Sequence, residues 1–396
     1  MYRVPSVMRS SLFAYGFRSS FLLAGIAAML LVPRWAFSFI TGSPIGSSWP
    51  PMLWHAHEML FGFIASAMAG FLLTAVPSWT GEKGFAGRPL VILACLWLAA
   101  RVLIASSSLW PAVLIAAVDL AFLPALGVLV AWPLLRSRSR NTPLLAVLGL
   151  FWLTDLVFQI ALIRNHPLLA LHALHVGIDI VLVLVTVIGG RIVPSFTSAA
   201  LRPLGLEGAV HNRPALTGLA IAGMVAVMLS DVFWPESRIA GAIAGVAAFL
   251  QTARLLQWAP WRTLRQPIVW VLHLSYAWLP VGLALKAVAL LSGAAFAAFW
   301  LHALTIGALA TMILAVMTRA SLGHTGRALI VDPLITLAYL LLTAAALMRV
   351  FGLSAFRLSY PVVIIWSALF WTVAFALFVA VYAPILWGPR ADGKVG

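Results

Sequence analysis

Apolar residues dominate the chain in twelve long runs, and polar residues collect in the short breaks between them. The runs fall at approximately 19–40, 52–76, 89–107, 110–133, 143–163, 168–190, 214–231, 237–258, 267–291, 296–318, 330–350 and 359–384. Each is apolar around its whole circumference, which predicts helices surrounded by lipid or by other helices. At about 1.5 Å per residue, roughly 20 residues cross a hydrocarbon core of about 30 Å. The short alternating segments of a transmembrane barrel are absent. The expected fold is therefore all-α: a polytopic membrane protein of about twelve transmembrane helices, forming a single transmembrane domain over residues 1–396. Arg3, Arg9 and Arg18 precede the first run as in a signal peptide, but the run is too long for one and many spans follow, so it reads as the first helix.

Composition agrees. The 396 residues are 63% hydrophobic and only 9% charged, against roughly 25% charge in a soluble domain, so membrane lipids are the expected surroundings. The formal charge of +15 does not point to nucleic acid, because the 25 basic residues stand singly between apolar runs instead of forming a basic face. Instead they orient the helices. The N-terminal segment and every second connection hold 18 Arg and Lys, from Arg3, Arg9 and Arg18 through Arg254, Arg262 and Arg265 to Arg390 and Lys394. The alternate connections hold 5: Arg34, Arg164, Arg238, Arg349 and Arg357. Arg101 and Lys286 fall inside spans. The positive-inside rule then expects both termini in the cytoplasm.

In that topology five histidines lie near the outer ends of inward-running helices. The second helix opens Trp54-His55-Ala56-His57-Glu58-Met59, the sixth Leu171-His172-Ala173-Leu174-His175, and the tenth Trp300-Leu301-His302. Intramembrane ionisable groups are costly, and five imidazoles at one depth, with Glu58 and Asp179 beside them, predict a metal or haem site. His172 and His175 share a helix face that Asp179 continues, where a carboxylate can accept the second ring N–H of a ligating histidine. His55 and His57 point to opposite sides, serving different centres unless one is structural. Carboxylate-poor surroundings argue against calcium or magnesium, and imidazole suits haem, copper and zinc alike. The single Cys95 excludes covalent c-type haem attachment and cysteine-rich clusters. The spacing of five in His57/Gly62, His172/Gly177 and His302/Gly307 fits either a four-helix unit used three times or coincidence in an apolar alphabet.

A second group lies nearer the cytoplasm. His273 and Tyr276 share a face of the ninth helix, as a second centre or a helix contact, and Asp119 and Asp155 can bond Arg101 or serve a proton path. Arg191, Arg319, His324 and Arg327 stand among small residues at the ends of the sixth and tenth helices, where arginine can clamp an anion such as a haem propionate or phosphate or simply anchor the helix.

These stretches together resemble the NnrS family. The resemblance runs through Phe13-Ala14-Tyr15-Gly16-Phe17-Arg18, Trp54 to Gly62, Gly70-Phe71-Leu72-Leu73-Thr74-Ala75, Gly190-Arg191 to Phe196-Thr197, His273 with Tyr276, and His302 to the Gly323-His324-Thr325-Gly326-Arg327 block, covering nearly the whole chain. It implies a bacterial inner-membrane protein that holds haem, non-covalently and of b type, and copper, and that serves the nitric oxide response. It also implies nitric oxide as a small ligand and, if the protein turns over, an electron donor as partner. The expected ligands are His55, His57, His172, His175, His302 and His273; Arg191, Arg319 and Arg327 are expected at the cofactor, with Glu58, Asp179, Tyr276 and His324 around the ligands. Competing expectations are a non-catalytic sensor or metal-handling protein and a metal or haem carrier, with Pro77, Pro124, Pro280 and Pro361 as helix interruptions.

Overall fold

A computed structural model describes residues 11–394, so Arg3 and Arg9 lie outside the described residues. Twelve helices in it are long and apolar enough to span a membrane: α1 Gly16–Thr41, α2 Pro51–Thr80, α3 Arg88–Ala105, α4 Ala112–Arg136, α5 Leu144–Ile163, α6 Pro167–Leu204, α7 Pro214–Phe233, α8 Arg238–Leu256, α9 Pro267–Ser292, α10 Ala295–His324, α11 Pro333–Phe351 and α12 Tyr360–Trp387. No strand occurs among the described residues. Large side chains such as Val128, Trp132 and Phe249 are about 70% exposed (72%, 69% and 72%), a surface that only lipid satisfies. By fold this is a polytopic, all-helical membrane protein.

The sequence-predicted boundaries differ most at α6 and α10. Gly189, Gly190 and Arg191 read as the end of the sixth run, yet the α-helix continues through Pro194 to Leu201, and α10 runs on to His324. Hydropathy marks where a helix leaves the apolar layer, and these two continue beyond it. Three basic residues assigned to loops are also buried in helices: Arg18, Arg254 and Arg349, at 0%, 1% and 7% exposure.

By contacts the chain forms two compact units. Of the described residues, one comprises 11–174, Met317–Leu329 and 375–394; the other comprises His175–Val316 and Ile330–Ala374. Each has one strongly enclosed helix: 83% of the central stretch of α2 is buried in the first, and 72% of that of α9 in the second.

Two irregularities in the first unit aim polar side chains inward. Within α2, residues Glu58–Ile64 are π-helical, directly after His57. Widening the helix to i→i+5 pairing disturbs the carbonyl ladder, and the Gly62 carbonyl there accepts a hydrogen bond from Trp97 Nε1 at 2.9 Å. In α4 the α-helix stops at Asp119 and resumes at Phe122. Pro124 offers no N–H to the carbonyl four residues earlier; that carbonyl, of Leu120, accepts from Trp152 Nε1 at 3.0 Å instead. A second π stretch, Ala303–Ala310, follows His302 in α10 of the second unit. The α-helix through His172 has none, so the local backbone after the histidine is shared by α2 and α10 alone.

The His324–Arg327 turn holds the end of the chain. Arg390 Nη1 donates to the His324 carbonyl at 2.7 Å, and the Ala391 amide to the Thr325 carbonyl at 2.9 Å. Arg18 Nη1 donates to the carbonyls of Leu386 and Gly388 at 3.0 and 2.7 Å. Arg390 also holds the Asp392 carboxyl below the usual carboxylate range. Gly326 has φ +72°, and a Cβ there would lie 2.5 Å from Asp392 Cγ. Gly326→Val, with a β-branched side chain forced into the left-handed region, is expected to cost about 1–3 kcal/mol locally and to release the C-terminal segment. Faster amide exchange at Ala391, with the spans unchanged, would show it; unaltered protection would argue that the turn does not hold the segment.

Candidate metal centre

In the first unit α2, α3, α4 and α5 bring a closed cluster of charged side chains together inside the helices. His57 is fully buried, and Glu58, Asp119 and Asp155 are 1%, 4% and 2% exposed. His57 Nδ1 donates to Glu58 Oε1 at 3.3 Å. Its Nε2 lies 2.9 Å from Asp119 Oδ2 and 3.2 Å from Asp155 Oδ1. Arg101 Nη1 pairs with Glu58 Oε1 at 3.0 Å and its Nη2 with Asp119, while Gln159 Nε2 donates to Asp119 Oδ2 at 2.8 Å. Gly62 gives the guanidinium its path, because a Cβ there would stand 2.9 Å from Arg101 Nη1.

One ligand atom each from His57, Asp119 and Asp155 lie within 4.8 Å of one another, a spacing that a single ion can bridge. One imidazole nitrogen and two carboxylate oxygens suit a first-row divalent ion, copper(II) included. They suit haem less well, because both His57 ring nitrogens already face carboxylates, Nδ1 Glu58 and Nε2 Asp119 and Asp155, with Phe158, Phe61 and Trp49 packed around the ring at 4.8, 5.0 and 5.0 Å. The surroundings of His57 are thus rich in carboxylates, contrary to the carboxylate-poor layer expected from the sequence. The reason is that Asp119 and Asp155 come from α4 and α5, 62 and 98 positions from His57 in sequence. Their signal was present, as charges inside apolar runs and as the i, i+4 spacing of Asp155 and Gln159, but nothing linear pairs them with His57.

The other first-unit histidines expected in the ligand layer, His55 and His172, are half-buried. His55 stacks on Trp35, centroids 4.2 Å apart, on a different side of α2 from His57, and half-buried His172 lies near the start of α6. Residues between Ser38 and Pro51 line an open hollow of about 360 Å³, which includes Trp49.

In the second unit, His175 and His302 are half-buried and His273 is 4% exposed. Thr197 Oγ1 donates to the Val193 carbonyl at 2.8 Å and therefore accepts from His273 Nε2, also at 2.8 Å. That fixes the tautomer and leaves His273 Nδ1 as a buried lone pair with no hydrogen-bond partner, the state a haem iron or metal ion takes up. Asp179, expected beside His175, belongs to a buried trio. It faces Asp231, which is ion-paired with Lys286. Tyr276 is fully buried and donates to Gln251 Oε1 at 2.6 Å.

Of the arginines expected at a cofactor, Arg191 is exposed and Arg319 and Arg327 are half-buried. The buried arginines, Arg18, Arg101, Arg254 and Arg349, are others. His324 is half-buried, its ring 5.6 Å from that of Phe17.

A twelve-span helical protein with ionisable clusters buried between its helices is a polytopic membrane protein that carries costly interior charges. The chain belongs to the NnrS family: the family model described as NnrS protein matches residues 11–390. No curated protein matches the chain.

Proposed function

We propose that the protein is a metal- and haem-binding component of the nitric oxide response in the bacterial inner membrane, with copper in the cluster around His57. The observation that carries this is charge. Glu58, Asp119 and Asp155 against Arg101 leave two negative charges buried between helices. With all three carboxyls ionised, a proton on His57 cancels one and a second proton on a carboxyl the other, whereas a divalent ion bound by His57, Asp119 and Asp155 cancels both in one step. In a low-dielectric interior the neutral arrangement is strongly favoured. Copper held there supplies one-electron chemistry toward nitric oxide. Glu58 orients the His57 ring through Nδ1, Arg101 fixes Asp119 and Glu58, and Gln159 directs the remaining Asp119 oxygen, as surrounding groups do for metal ligands. Trp49, between the hollow and His57, shields the cluster from water.

Haem belongs on a histidine with a ring nitrogen not already committed to carboxylates, as both of His57's are. The second unit's His273, with its free Nδ1 lone pair, has the donor that iron needs, and His55, His172, His175 and His302 remain the half-buried alternatives. With both termini cytoplasmic, the histidine ends of α2, α6 and α10 face the outer side, where nitric oxide partitions from the bilayer. Turnover would require an electron donor; binding or sensing would not. The break in α4 at Asp119 favours, as a second reading, a carrier whose ion site lies at an interrupted helix.

Metal analysis with optical and electron paramagnetic resonance spectra of the purified protein tests the assignment. His57→Ala and Asp155→Asn are expected to lose copper tenfold or more with haem content unchanged, and His273→Ala to lose or alter haem with copper retained. Copper content unchanged in both cluster variants would remove the ion from this site. Nitric oxide consumption by liposomes with a chemical reductant separates turnover from binding, and copper uptake into sealed vesicles would move the assignment to a carrier.

A further inference from the structure

Among the described residues Arg254 has no counter-ion. It lies in α8 at 1% exposure. Its Nη1 donates to the Thr186 carbonyl at 2.8 Å and to the Tyr276 hydroxyl oxygen at 3.2 Å, while Nε and Nη2 are buried without an acceptor. The acidic side chains of the described chain are all committed elsewhere: three to the His57 cluster in the other unit, Asp179 and Asp231 to Lys286, and the rest exposed. A guanidinium keeps its charge inside proteins, and an uncompensated cation within the membrane layer is expensive.

The donors around it repeat the message. The Arg254 guanidinium lies 5.4 Å over the Trp258 ring, and Trp258, fully buried, also has its Nε1 donor unpaired. Tyr276 uses its proton on Gln251, so no further acceptor comes from it. A Cβ built on Gly190 would overlap Arg254 Nη2, so the missing side chain of Gly190 is what admits the guanidinium. Three unpaired donor nitrogens on two neighbouring side chains, one of them cationic, define the complement of an anion, and the planar guanidinium fork matches a planar oxoanion through two parallel bonds.

We propose that Arg254, with Trp258 beside it, binds a carboxylate-like oxoanion in the second unit. The anion is either a free monoanion or the carboxylate arm of a cofactor held on His273, whose ring lies 6.5 Å from that of Trp258; only the latter source rests on the function proposed above.

The test uses the purified full-length protein in detergent at constant ionic strength, with thermal unfolding followed against sodium formate, sodium sulfate or sodium chloride. If the anion is free, formate raises the wild-type midpoint saturably beyond chloride and sulfate. Arg254→Gln and Gly190→Ala then need roughly tenfold or more formate for the same shift, the loss of one charge-assisted pair, and porphyrin content is unchanged. If the anion belongs to a cofactor, porphyrin content falls in both variants, and formate stabilises only porphyrin-free protein. Should Arg254→Gln not fold, Gly190→Ala, which keeps the charge, and Arg254→Lys, which keeps it without the fork, carry the test. A wild type whose response to formate equals that to chloride, together with unchanged porphyrin content in the variants, overturns the proposal. So does a formate response equal in wild type and variants. Failure of the His57 metal assignment leaves the free-anion arm standing.

Discussion

Arg101→Met is expected to destabilise the protein by about 3–5 kcal/mol, the usual consequence of removing one partner from a buried ion pair. The size reflects the groups left behind. Glu58 and Asp119 each lose a paired guanidinium nitrogen, and three carboxylates are left with only His57 and the Gln159 amide against them. Little of this is packing, since methionine replaces most of the arginine stem. The measurement is the thermal midpoint and the monodisperse yield of the detergent-solubilised protein. Arg101→Met combined with Asp119→Asn removes one charge of each sign and should recover much of the loss. If metal occupies the cluster, the single variant should also lose part of its copper, because Asp119 is no longer fixed. A single variant as stable as wild type would show that the cluster is solvated or already neutralised, and would undercut the charge argument for the ion.

The second large effect is expected at Lys286. Lys286→Met strands Asp231 beside Asp179, two carboxyls 8% and 4% exposed with no cation to face them. The loss should again be about 3–5 kcal/mol. Lys286 also lies 4.7 Å over the Trp300 ring, an interaction worth about 0.5–2 kcal/mol that methionine replaces only in part. Lys286→Met with Asp231→Asn leaves Asp179 a neutral partner and should restore the midpoint to within the cation–π contribution. A double variant as unstable as the single would show that Lys286 acts through packing and not through its charge. An infrared carboxylic-acid band present in wild type and lost in Asp179→Asn would show that Asp179 carries a proton.

The twelve spans were legible in the sequence because a lipid-facing helix must be apolar on every side, and that requirement leaves an unbroken run. The ends of α6 and α10 were not legible, since beyond the apolar layer a helix can continue on polar residues. The histidines were found by their expense: His57 and His273 both lie buried with defined partners. The groups in their company were not visible. His57 meets Asp119 and Asp155 through helices separated by 62 and 98 positions, and Arg254 looked like one more loop anchor because its helix ends two residues later. Linear pattern reports the depth of a side chain well and its neighbours poorly.

The π-helical stretches after His57 and His302 have a consequence for how such a protein can be altered. An α-helix turns about 100° per residue, so a stretch that accommodates an added residue lets the two halves of a helix take independent bearings. The histidine end of α2 can therefore be re-aimed without rotating the face that its other end presents to its neighbours. Length becomes as much a variable as side-chain identity: removing a single residue between Glu58 and Ile64 would return the segment to ordinary winding and swing His57 away from Asp119 and Asp155, with the composition of the helix hardly changed.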